Sequence, residues 1–66
     1  MTNEQLLKQH QEAVNLATEL FNGIWEDALM WMQTPTSVFF GISPTDAIVS
    51  GNGEAVLEWL KQRSGR

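Results

Sequence analysis

Few residues in this chain could do chemistry. His10 is the only histidine, there is no cysteine, and Ser37, Ser43 and Ser50 are the serines to weigh as nucleophiles. A nucleophilic hydroxyl needs a base within hydrogen-bond reach and a third group that orients the base. No His or Asp stands in a recognisable pattern with any of these serines. His10 falls between Leu6 and Ala13 on an apolar helical arc, so it reads as a core or interface histidine. Glu26 and Asp27 are adjacent acids, but helix neighbours point about 100° apart and do not converge on one ligand. They read as a solvated face. Gly51-Asn52-Gly53 precedes a helix as a phosphate-cradling loop does, yet the preceding buried strand and the lysine are missing. A tight helix–helix turn using positive φ explains it better. The expectation is a protein that is not an enzyme and needs no cofactor or metal.

Aromatic residues remain. Trp25, Trp31 and Trp59 stand in a chain of 66 residues. Each buried ring removes about 150–250 Å² from water. Three rings can anchor a small core and leave one for an interface, where Trp is enriched among binding hot spots. Met30 falls on the polar side of its helix, and Phe39 and Phe40 cannot easily both point inward. Together they predict an apolar patch kept for a partner.

Length and charge limit the partner. One domain spanning residues 1–66 is expected, with a core that rarely supplies more than about 3–5 kcal/mol. The net charge is −4, and Lys8, Lys61, Arg63 and Arg66 are the only basic residues. Without a positive stripe to displace counterions, direct binding to nucleic acid is disfavoured. No apolar run reaches the length of a membrane span, and no basic segment followed by an apolar run opens the chain. A cytoplasmic location, away from the membrane, is therefore expected.

The elements that must position these residues are helical. Thr2 and Gln5 have capping-box spacing. Leu6, Ala13, Val14, Ala17, Leu20 and Phe21 then share an arc, with Leu7 at its edge and Lys8 four before Glu12 as a potential pair. Asn22-Gly23 ends this helix. A second helix over about 24–33 carries Ile24, Trp25, Ala28, Leu29, Trp31 and Met32 on a wide arc. Residues from Pro35 to Gly41 suggest a short helical segment, although Thr36-Ser37-Val38-Phe39-Phe40-Gly41-Ile42 is also β-tempting. Ser43-Pro44-Thr45-Asp46 is a strong helix start: N-cap Ser, Pro at the first helical position and an acid two residues later. Gly51-Asn52-Gly53 interrupts, and a last helix over about 54–63 presents Ala55, Val56, Leu57, Trp59 and Leu60, with Gly65 placed to close it. The fold class is all-α: a compact single domain of four or five short helices.

From residue 17 to residue 65 the chain resembles the toxin-binding domain of the Xre/MbcA/ParS antitoxin family. The likeness rests on Ala17 with Leu20-Phe21, Ala28 with Trp31-Met32, Pro35, Gly41 with Ser43-Pro44, Ile48, Gly53, Val56, Trp59-Leu60 and Gly65. These motifs are individually ordinary; their order and spacing are more specific. Phe40 departs from the pattern, standing where the family usually has the first Gly of a pair. Only sixteen residues precede Ala17, too few for the helix-turn-helix region of many relatives, so their DNA-binding role is not carried over. The resemblance implies a RES-type, NAD-consuming toxin as partner, its substrate pocket covered by the last helical face. Trp59, Arg63 and Arg66 are the expected contacts, with Phe39 and Phe40 beside them. A small helical oligomerisation or interaction module with no toxin is the alternative, and a homodimer fits both.

Overall fold

A computed structural model describes residues 3–64. The fold is all-α. In chain order it runs α1 (Asn3–Leu20), α2 (Trp25–Gln33), a 3-10 turn (Ser37–Phe39), α3 (Pro44–Ala47), a wide turn (Ile48–Asn52) and α4 (Gly53–Arg63). The expected four or five short helices are corrected to three substantial ones, of 18, 9 and 11 residues, because α3 is a single turn of four. Thr2, Gly65 and Arg66 lie outside the described residues.

At 1.5 Å per residue α1 is about 27 Å long, which nearly matches the molecule's 30 Å long axis. It is the beam on which the rest is laid, packing chiefly against α4 and α2. Its inward positions are small: Ala13 and Ala17 are fully buried, and Ala28 of α2 and Ala47 of α3 sink into the same core. Small side chains let the backbones approach, and Met32, Phe39, Ile48, Val56, Leu57 and Leu60 fill the space between them. Leu7 lies outside at the edge of the arc. Glu12 does not need Lys8: its carboxylate lies 3.6 Å from the Lys61 ammonium, tying α1 to α4 through an exposed contact worth little in water.

The ends of α1 and α3 follow their residues closely. Asn22 and Gly23 take φ of 61° and 86°, and their N–H groups donate to the carbonyls of Glu19 and Thr18. This pair of bonds absorbs carbonyls that the helix end would otherwise leave open. Ser43 Oγ accepts from the Asp46 N–H at 3.1 Å, with Pro44 at the first position of α3.

Three expectations about local structure change. The short helical segment expected over 35–41 is present but shrinks to one 3-10 turn, Ser37–Phe39, inside a closed loop over 36–42. One antiparallel bridge joins Thr36 to Ile42 around the 3-10 turn. Trp25 is 57% exposed, because it stands at the first position of α2 before that helix meets its neighbours. Ala55 is exposed, and α4 begins one residue earlier than expected, at Gly53. Gly51, at φ 100°, makes the sharp change of direction between α3 and α4 that an L side chain would resist. Gly53 is helical and buried, close under the Gln9 amide of α1.

Candidate aromatic–arginine surface

Trp31 on α2 and Trp59 on α4 meet face to face, ring centroids 5.4 Å apart and planes 16° from parallel. Phe39 approaches both edge-on, 6.3 Å from Trp31 and 6.0 Å from Trp59. Phe21, just past the end of α1, sits 6.4 Å from Trp31. Offset-stacked and edge-to-face pairs each add about 0.5–1.5 kcal/mol beyond burial. Four rings from separate parts of the chain therefore lock α1, α2 and α4 together near one edge.

That edge ends in a cation. Arg63 stands four residues after Trp59, one helical turn along, so its side chain lies over the same face. Its guanidinium is 4.4 Å from the Trp59 ring centroid. At an exposed site such a contact contributes about 0.5–1 kcal/mol. The larger effect is orientation, since a guanidinium stacked on a ring keeps its planar fork of N–H donors aimed outward. Arg63 also lines an open hollow of about 520 Å³ with Glu19, Leu20, Asn22, Gly23 and Ser64. A second, more apolar hollow of about 270 Å³ is bounded by Phe21, Asp27, Met30, Trp31 and Thr34.

The structure brings Phe39, Trp59 and Arg63 into one cluster. Trp59 is half-buried and Arg63 exposed. Phe39 is only 5% exposed, so its expected role as a direct contact is corrected: the ring fills the core beneath the surface and supports Trp31 and Trp59. Phe40, its neighbour in sequence, is 92% exposed. Arg66 lies outside the described residues. Trp31 was legible only as one member of a wide arc; nothing local singled it out as the stacking partner of Trp59. Exposed Val38, Ile24 and Trp25 join Met30 as apolar surface that spacing alone did not single out.

His10, Ser43 and Ser50 each make a side-chain hydrogen bond. Half-buried His10 shares a hydrogen bond between its Nε2 and the Thr45 hydroxyl at 3.3 Å, joining α1 to α3. Ser43 caps α3, and Ser50 Oγ donates to the Ala47 carbonyl. Glu26 and Asp27 are exposed in the first turn of α2, where they complement the helix dipole. Among the described residues no three His, Asp or Glu side chains gather as a metal site, and no helix is long and apolar enough to cross a membrane. No protein-family model, curated protein or solved structure matches the chain.

Proposed function

We propose that this chain is an antitoxin-like protein that binds a RES-type, NAD-consuming toxin and covers its substrate pocket, acting in the cytoplasm without catalysis of its own. The observation that carries the reading is the accessible Arg63 guanidinium, held 4.4 Å over Trp59 at the edge of a packed aromatic cluster. A fixed cation beside apolar surface suits recognition of acidic or polar groups around a cleft. The mechanism is occlusion: helices supply the cover and the toxin owns the reacting groups.

The family likeness gains support from the loop before α3. Phe40 and Gly41 take φ of 62° and 84° in succession. Consecutive left-handed residues are what a Gly-Gly pair adopts without strain. Phe40 thus departs from the family's residue type while keeping a backbone shape that glycine favours. Co-expression with the toxin tests the proposal, scored by growth and by cellular NAD. Rescue of both is expected from the parent chain. Rescue from neither contradicts the proposal.

A second reading is an oligomerisation module without a toxin. Exposed Ile24, Trp25 and Met30 favour it, since a surface this apolar can bury itself against another copy. Sedimentation of the purified chain discriminates in part: a monomer at all concentrations removes the module, whereas a dimer fits both readings.

A further inference from the structure

We infer that Phe40 is the anchor of the partner-binding surface, held in a conformation unfavourable for its own residue type. This rests on the antitoxin-like reading and names the point of contact within it. Phe40 has φ 62° and ψ 31°, a left-handed conformation that disfavours residues with a Cβ. Its ring is 92% exposed, so no burial offsets the strain in the free protein. Strain of this kind persists when surrounding structure holds it, and it gathers at binding sites.

The surroundings do hold it. Phe40 N–H donates to the Ser37 carbonyl at 3.3 Å, Gly41 N–H to Thr36 at 2.9 Å, Ile42 N–H to Phe39 at 3.2 Å and Thr36 N–H back to Ile42 at 3.2 Å. Thr36 Oγ1 also accepts from the Val38 N–H. Phe39, packed against Trp31 and Trp59, roots the loop in the core. The result is a rigid pedestal with one bare ring at its tip and half-exposed Val38 beside it. Ordering entropy that a flexible loop would lose on binding is already lost here.

Charge defines the kind of site the ring enters. The chain has eight acids, yet none falls between Ala28 and Thr45, nor does any base. A neutral loop can enter an apolar cleft without stranding a charge there. Phe39, next to Phe40 in the loop, meets edge-on the Trp59 ring over which Arg63 lies. The fitting occupant is the toxin's cleft: an apolar pocket for Phe40 with a carboxylate near its rim for Arg63.

Binding of purified RES-type toxin to parent, Phe40→Gly and Phe40→Asn chains tests this, with thermal melts of each free chain. Asn tolerates the left-handed backbone, so it keeps the loop shape while removing the ring. Both variants should bind at least about thirtyfold more weakly, the loss typical of a hot spot. Phe40→Gly should also raise Tm by about 2–6 °C through relief of strain, net of glycine's greater chain entropy. The Phe40 loss should persist at high salt, whereas that of Arg63→Glu should shrink. If parent and variants bind alike, the anchor assignment fails and the antitoxin-like reading survives. Failure of the parent to bind removes both. A Phe40→Gly chain with a lowered Tm overturns the strain premise. Phe40-dependent self-association with unchanged toxin binding assigns the ring to a second copy instead.

Discussion

Arg63 and Phe40 show what can be read from a single residue and what cannot. The four-residue step from Trp59 to Arg63 places a cation over a ring wherever that segment is helical, so their association was legible in the sequence. Which phenylalanine of the adjacent pair points inward was not. That choice follows from the left-handed backbone at Phe40, a conformation with no local signal in an aromatic residue. Arg63→Glu replaces an attractive charge with a repulsive one at the rim of the proposed interface. It should weaken toxin binding by about tenfold or more, chiefly at low salt. Because the substitution also gives up the Trp59 contact, the free chain should lose about 1 kcal/mol and stay folded. A variant that binds as tightly as the parent removes Arg63 from the interface.

Helix ends were the most readable elements, because caps are made by neighbours in sequence. Asn22-Gly23 and Ser43-Pro44 act as their types dictate. Ser43→Ala removes the hydroxyl that accepts from the Asp46 N–H and leaves the part-buried N-terminus of α3 short of a cap. A loss of about 1 kcal/mol is expected, read as a fall in Tm of about 4–8 °C; an unchanged melt would show the cap to be dispensable. Gly51→Ala should destabilise by about 1–2 kcal/mol, although the space at its Cβ is open. The penalty there is conformational, so chemical denaturation should show a lower midpoint with an unchanged slope. The loop over residues 36–42 was less legible. Its aromatic and β-branched residues suit a strand, while its closure depends on the Thr36–Ile42 bridge and on Phe39 reaching two tryptophans distant in sequence. Tertiary contacts, absent from any local window, decide that segment.

At the scale of the molecule, alanines set how closely the helices approach and a few large side chains fill the remainder. Leu60 is fully buried among them. Leu60→Ala should remove about 2–5 kcal/mol, comparable to the whole stability of a domain this small, about 3–5 kcal/mol. Circular dichroism should find that variant largely unfolded at 37 °C; a native-like melt would mean the core has reserves beyond this cluster. The all-α class was readable from periodicity because each long helix has an amphipathic arc. The number of helices was not, since the single turns at 37–39 and 44–47 signal themselves as strongly as true helices do. On the proposed reading, this chain acts as a cover over another protein's reactive pocket. Titration of the chain into purified toxin, following NAD consumption at several NAD concentrations, tests it most directly. Consumption should fall to zero once the toxin is saturated, and rising NAD should raise the amount of chain required. A saturated complex that still consumes NAD at the free toxin's rate would contradict it.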